Sequence, residues 1–295
     1  MERLETQQIL KQNGLDWNVI KKPLMYSNEN HEGGNYTLHD TKFYGVVRED
    51  TGEVFATVKE AYTPTQNHTI IETMQDIAGD NNLEIIRAIP FNEGRKVMVQ
   101  MKRPNNHMII GGQDTEQYIY AINSHDGSSS LKFGFMNTVV FCQNQFGWMN
   151  SNAFSGYRHT QSIQDKVKEL PSIINFSGEE EKIAELQHFS GQSIGRDSIH
   201  EMLFNLTKID RAMTSKEMHD NFSSRAINIH EDLLQCMLTE TSRVGLTKWG
   251  LFNGVTKYTT HMKSAPLREH GRQESIITGS GQKMNEQAFN FLKQY

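Results

Sequence analysis

From Asn35 to about Phe141 the hydrophobic positions mostly alternate with polar ones, and beyond Cys142 they recur every three or four residues. Alternation marks half-buried strands, and the longer period marks amphipathic helices. "KFYGVVREDTGEVFATV" holds two β-rich runs around Glu49-Asp50-Thr51-Gly52, and Gly52 can take positive φ, so the segment predicts a hairpin. Its outgoing strand is expected to place Val54, Ala56 and Val58 on one face. "RKVMVQMKRP" alternates Val97, Val99 and Met101 and is stopped by Pro104; "HMII" and "EQYIYAIN" follow, separated by a Gly-Gly-Gln-Asp turn. One helix interrupts the strands. In "TQNHTIIETMQDIAGDNN", Ile70, Ile71, Met74 and Ile77 share a helical face, and Gly79 is the expected C-cap.

Past Cys142 the alternation is lost. "GEEEKIAELQHFSG" puts Ile183, Leu186 and Phe189 on one face after an acidic first turn, and "SIHEMLFNLTKID" repeats the pattern with Ser198 as N-cap and Glu201 three places later. "INIHEDLLQCMLTETSRVG", "TKWGLFNGVTKYTTHM" and "KMNEQAFNFLKQ" extend the helical series. The fold class expected is α+β: an N-terminal antiparallel sheet crossed by a helix, followed by a helical C-terminal half. Two domains, 1–171 and 172–295, are expected to divide at Pro171 and the acidic turn from Gly178 to Glu181, and to be able to pack as one unit.

Composition narrows the classes. A chain of 295 residues with 36% hydrophobic and 22% charged residues can bury a substantial core and implies no extended disorder. The net charge of −5 gives no global attraction to nucleic acid, so such binding would need a local basic patch. The only two cysteines, Cys142 and Cys236, are too few for a disulfide framework or a cysteine-based zinc site, which points to a reducing cytoplasm. The N-terminus reads as a short amphipathic helix rather than a signal peptide, and no apolar run approaches the roughly 20 residues needed to span a bilayer. A membrane partner is therefore not expected.

Several residues could carry chemistry. His125-Asp126 suggests the metal ligands of phosphohydrolases, but it precedes Gly-Ser-Ser-Ser and reads first as a turn with an Asx-type bond from Asp126. Cys142 with His125 or His159 could form a nucleophile and base, although it ends an apolar run and reads first as a core residue. The twelve histidines are scattered, without a zincin pattern. Gly279-Ser280-Gly281 opens a helix and could hold a phosphate, but Lys283 is followed by Met284, so helix capping is the simpler reading. Basic residues cluster at Lys21-Lys22, Arg95-Lys96, Lys102-Arg103 and Arg158-His159 beside Tyr157, with Trp17, Tyr26, Phe91 and Trp148 near them in sequence; stacking aromatics in a basic groove would suit single strands. Asn253, Lys257 and His261, spaced four apart, make a polar helix stripe opposite Trp249, Phe252 and Val255 or Thr256, and a solvated face is the first expectation.

"GLDWNVIKKPL", "VREDTGEVFATVKEAYTPTQN", "NSHDGSSSLKFGFMNTVVFCQN", "YRHT" and "TKWGLFNGVTKYTTH" together resemble, in order, the phage/plasmid-like protein family, a domain family of unknown function found in phages, plasmids and prophages. The matching motif positions are Asn123, Ser124, His125, Asp126, Gly127, Ser128, Cys142, Asn144, Trp249, Asn253, Tyr258 and His261. Two stretches depart from the family pattern: Gln145-Phe146 replaces Thr-Leu after Cys-x-Asn, and Gly254 replaces Ala after Asn253. The family supplies no catalytic residue to carry over. The resemblance implies a mobile-element protein in the host cytoplasm, near DNA replication, recombination or counter-defence. The strand-rich half with its crossing helix also resembles phage single-strand annealing proteins, an analogy of fold that does not fix function. The leading expectation is a non-enzymatic nucleic-acid-binding protein, able to form a homo-oligomer, with Lys96, Lys102, Arg103 and Arg158 on phosphates and Trp148 and Tyr157 stacking bases. No cofactor is expected for it. The alternative is a phosphoester or nucleotide hydrolase holding a divalent metal through His125, Asp126 and His159; a host-factor-binding counter-defence protein is a third.

Overall fold

In a computed structural model of the chain, the structure describes residues 6–29, 36–104, 107–140, 142–148, 159, 177–265, 267–268 and 270–295. They show an α+β fold, with antiparallel strands in the N-terminal half and helices in the C-terminal half. The chain forms two compact units that interleave in sequence. Of the described residues, the first unit takes those up to 104, 119–133 and His159; the second takes 107–118, 134–148 and everything from 177 onward. Residues 107–118 and 134–148 precede Pro171, which lies outside the described residues, yet belong to the unit built by the later helices. The reason is burial: Ile110, Val139 and Phe146 are core residues of the helical cluster around Trp249, Phe252, Leu233 and Phe289.

In the first unit, helix α1 (Thr6–Gln12) leads into β1 (Val19–Glu29), β2 (Tyr36–Arg48) and β3 (Val54–Val58), an antiparallel sheet in that order. The predicted hairpin joins β2 and β3, with Gly52 at φ +73°. In β3 Val54 is 48% exposed and Ala56 and Val58 are partly buried, whereas Phe55 is buried against Trp17, ring centroids 6.0 Å apart. Strand β1 shows no long alternation and was not legible as a strand. It is anchored by Gln66, whose side chain bonds both the amide and the carbonyl of Val19 (2.9 and 2.8 Å).

Helix α2 (Asn67–Asp80) buries Ile70, Ile71, Met74 and Ile77 as the spacing predicts. It packs on β4 (Glu84–Phe91) and β5 (Lys96–Lys102), which pair with each other. It runs through Gly79 to a C-cap at Asn81, because Asn82 supplies the left-handed turn at φ +52°. Strand β7 (Gln113–Ser124) serves both units: its second half pairs with β5, and its first half with β6 (His107–Ile110). The β6–β7 turn is Gly111-Gly112, with φ +55° and +74°, while Gln113 and Asp114 of the expected turn already belong to β7. A Cβ on Gly111 would also lie 2.9 Å from the Trp249 indole nitrogen.

In the second unit, β8 (Lys132–Val139) pairs with β9 (Gln145–Trp148), a strand beyond the point where alternation stops. The helices are α3 (Ser177–Gly191), α4 (Asp197–Thr207), α5 (Ser215–Asn221), α6 (Ser224–Val244), α7 (Lys248–Lys257) with a π-helical turn over Tyr258–Met262, α8 (Gly271–Thr278) and α9 (Ser280–Gln294). Gly178 to Glu181 form the first turn of α3 rather than a linker. Ser198 lies inside α4, where its hydroxyl donates to the Tyr295 hydroxyl at 2.9 Å; the capping box forms instead at Thr214 and Glu217. Gly279 precedes α9, and the Gly281 amide donates to Ser275 Oγ (3.2 Å), so this donor is used within the fold and not left for a phosphate.

Helix α7 is buried from Lys248 to Thr256, which a helix in a core requires to be apolar or hydrogen-bonded all round. It approaches α6 so closely that a Cβ on Gly254 would fall 2.9 Å from the Met237 backbone nitrogen. Gly254→Val should therefore force the two helices apart and lower stability by about 1–3 kcal/mol, the usual penalty of overpacking. A urea denaturation midpoint equal to that of the unsubstituted protein would contradict this contact.

Candidate functional site

The Asn-Ser-His-Asp-Gly-Ser motif ends β7 and makes the following turn, and its side chains go two ways. Toward the surface, Asp126 Oδ1 accepts from Ser124 Oγ (2.5 Å) and from the Ser128 amide (2.9 Å), the Asx-type turn the sequence predicts, with Gly127 at φ +68°. Inward, His125 is fully buried between the edge of Trp17 (5.3 Å) and the face of Phe55 (6.3 Å). Its Nε2 lies 2.9 Å from Asn67 Oδ1. The Asn67 amide nitrogen donates to the Leu15 carbonyl, so Oδ1 is the acceptor and Nε2 is assigned the proton. Asn123 Nδ2 stands 3.4 Å from His125 Nδ1 and from the Thr65 carbonyl.

The Thr65 hydroxyl continues the line to His159 Nδ1 (3.3 Å), and the His159 ring stacks on Tyr62 at 5.2 Å. Tyr62 in turn donates to the Ser124 carbonyl (3.3 Å). Thr65, Asn67, Asn123, His125 and His159 thus form one buried polar network inside the first unit. Among the described residues, His159 Nε2 and Asn123 Oδ1 are buried without partners. Thr65 and Asn67 escape a sequence reading because each looks like an ordinary residue at a helix entry.

Burial, reinforced by the charge of His159, pushes the His125 pKa down to about 3, and burial pushes His159 down to about 4. Burial would raise Asp126, but hydrogen bonds from Ser124 and Ser128 and the nearby Lys96 charge hold it below its ordinary value. Both imidazoles are therefore neutral at pH 7, and neither is poised for proton transfer there. The metal-site expectation meets a further obstacle: His125 Nε2 carries a proton toward Asn67, its Nδ1 faces an amide donor, and Asp126 is occupied in its own turn. Among the described residues no group of three or more His, Cys, Asp or Glu is arranged to hold a metal ion.

The remaining motif residues build a second network inside the other unit. Gln113 Oε1 accepts from Trp249 Nε1 (2.9 Å) and Asn253 Nδ2 (3.1 Å). Asn144 Nδ2 lies 3.4 Å from the Asn253 carbonyl, and His261 Nε2 lies 2.9 Å from the Cys142 carbonyl and 3.1 Å from Asn144 Oδ1. The expected solvated stripe is corrected: Asn253 is fully buried, Lys257 pairs with buried Glu240 (3.1 Å), and of the three only His261 is exposed. Cys142 is half-buried against the helical core, and the histidine beside it meets its carbonyl rather than its thiol. His125 and His159, the bases imagined for it, belong to the first unit. Gln113 was missed because "GGQD" reads as a turn.

The basic clusters are only partly available. Lys96 and Lys102 stand at opposite ends of β5, about 20 Å apart at the usual rise of a strand. Lys102 pairs with Glu84 (3.4 Å), and Lys96 acts on Asp126. Arg103, just past β5, is likewise engaged in an interaction. Arg95 is held by Glu53 (2.5 Å) and the Phe55 carbonyl (2.7 Å). Trp17 and Phe91 are buried, whereas Tyr26 is 51% exposed and Lys22, four positions earlier on β1, is exposed. Tyr157, Arg158 and the side chain of Trp148 lie outside the described residues.

Two consequences are measurable. Unfolded histidine titrates near 6.5 and the folded His125 and His159 far lower, so their contribution to stability is complete above about pH 6.5 and is lost as pH falls toward 4 and then 3. Each contributes at most about 1.4 kcal/mol per pH unit in that window. Unfolding free energy measured from pH 7 to 4.5 should fall, and fall less steeply in His125→Asn; equal slopes would contradict a buried neutral imidazole. In the second unit, Gln113→Leu leaves two buried donors unpaired and should cost about 1–3 kcal/mol, read in chemical denaturation.

Residues 54–287 match the model of a family described as Domain of unknown function (DUF932). No curated protein and no solved structure matches the chain. The matched span runs from β3 into α9 and includes all five residues of the first polar network together with Gln113, Asn144, Trp249, Asn253 and His261 of the second. The chain belongs to the DUF932 family.

Proposed function

We propose that the protein binds nucleic acid, preferentially single-stranded, as an annealing, recombination or replication accessory of a phage, plasmid or prophage in the host cytoplasm, and that it does so as a homo-oligomer. The observation that carries this reading is the ribbon of β1 and β2. Strand β3 pairs with β2 only from Tyr44 to Val47, but β1 and β2 stay paired from Met25 opposite Asp40 to Glu29 opposite Tyr36. That two-stranded extension exposes Met25 (56%), Tyr26 and Leu38 (65%), with Phe43 at its base, and Tyr26 stacks on His39 at 5.0 Å. Lys42 is exposed at its base, and Lys22, opposite Gly45 in the three-stranded part, is exposed just beyond it. An exposed tyrosine on a partly exposed histidine, with lysines toward the base of the ribbon, is a combination suited to bases and phosphates without strong sequence preference.

The net charge of −5 makes a local element of this kind necessary. Lys96, Lys102 and Arg103 are secondary contributors in this reading, since their neighbours already occupy them. The hydrolase alternative is less well supported because its candidate ligands are hydrogen-bonded in the fold.

The test is fluorescence anisotropy with a labelled single-stranded oligonucleotide over a salt series, with duplex as competitor. Tyr26→Ala combined with Lys22→Ala should weaken binding at least tenfold, since one stacked base is worth about 1–3 kcal/mol, and should flatten the salt dependence. Binding unaffected by the double variant overturns the ribbon assignment, and no binding at low salt overturns the function.

A further inference from the structure

A separate pocket of about 340 Å³ opens in the second unit beside α6 and the π-helical turn. Its polar lining is Arg225, Asn228 and Asp232 from α6, with Tyr258, Lys263 and Ser264 from the turn and the residues after it. Among the described residues, neither Arg225 nor Lys263 forms an ion pair, with Asp232 or with any other carboxylate. The two cations act on each other across the pocket: Lys263, depressed mainly by its burial, is lowered further by Arg225. A third cation, Arg272, sits behind them and holds the Thr260 and Lys263 carbonyls at 3.1 Å each, which fixes the backbone that presents Lys263.

Tyr258, one of the motif residues that neither polar network uses, lines this pocket. Its ring is buried, while its hydroxyl, which no described residue bonds, is open to the pocket. A hydroxyl donor open to the pocket beside two cations that form no ion pair among the described residues is an arrangement suited to an anion. We propose that this pocket binds the phosphoryl group of a phosphomonoester of nucleotide size. Arg225 and Lys263 grip the phosphate, the Tyr258 hydroxyl donates to it, and Asp232 is available to accept from a sugar hydroxyl. The same chemistry is offered by a free mononucleotide and by the phosphorylated end of a strand. The site lies in the second unit and does not depend on the ribbon reading.

Isothermal titration calorimetry on the full chain tests it, with inorganic phosphate, a nucleoside monophosphate, and a short oligonucleotide with or without a 5′-phosphate. The monophosphate is expected to bind one per chain, at least tenfold more weakly to Arg225→Gln/Lys263→Gln. Tyr258→Phe should weaken it severalfold with a thermal melting point close to that of the parent, which separates ligand loss from misfolding. Preference for the 5′-phosphorylated oligonucleotide assigns the site to strand ends, and monophosphate binding without that preference assigns it to free nucleotides. Tyr26→Ala should leave monophosphate binding unchanged, so failure of the ribbon and failure of the pocket are distinguishable. Saturable binding of none of the four probes at low salt, or binding indifferent to the double variant, overturns the proposal.

Discussion

A side-chain amide taken out of water must be hydrogen-bonded, and in this protein that requirement joins residues far apart in sequence. In the first unit Asn67 links the backbone at Leu15 to the ring of His125, with Asn123 and Thr65 completing the line to His159. In the second, Gln113 joins Trp249 and Asn253, and Asn144 joins Asn253 to His261. Neither network is interchangeable with apolar packing one residue at a time, because removing one partner strands another in a low-dielectric interior.

This constraint changes what the motif means. A run of His, Asp and Ser invites a catalytic reading, yet His125 is fully buried and neutral, while Asp126 shapes a turn. The motif residues close the ends of strands and position helix α7, whose Gly254 packs directly on the Met237 backbone and whose Trp249 is fully buried. The sites read here as binding surfaces use few motif residues. The β1–β2 ribbon contributes exposed aromatic and apolar side chains, and the pocket beside α6 contributes unpaired cations, with Tyr258 as its single motif residue.

The two surfaces also differ physically. The ribbon is a two-stranded extension with little burial of its own, and such elements adapt to a ligand. The pocket is bounded by α6 and a π-helical turn whose backbone Arg272 holds, so its cations are preorganised. Under the proposed function, the adaptable stacking element would meet bases and the rigid anion site a phosphate.

The sequence by itself determined the period of each half, and hence the α+β class, the β2–β3 hairpin at Gly52, the buried face of α2 and the Asx turn at Asp126. All of these depend on neighbours within a few residues, where propensity and periodicity act. Tertiary structure alone decided that Phe55 rather than Val54 faces inward, that β1 is a strand, that Asn253 is buried and that residues 107–118 and 134–148 join the helical unit. Each of those outcomes rests on a partner distant in the chain: Trp17 for Phe55, Gln66 for Val19, Gln113 for Asn253, and the helical core for Ile110 and Phe146. Local pattern carries no information about which distant side chain will satisfy a buried group, so these features became legible only in the folded chain.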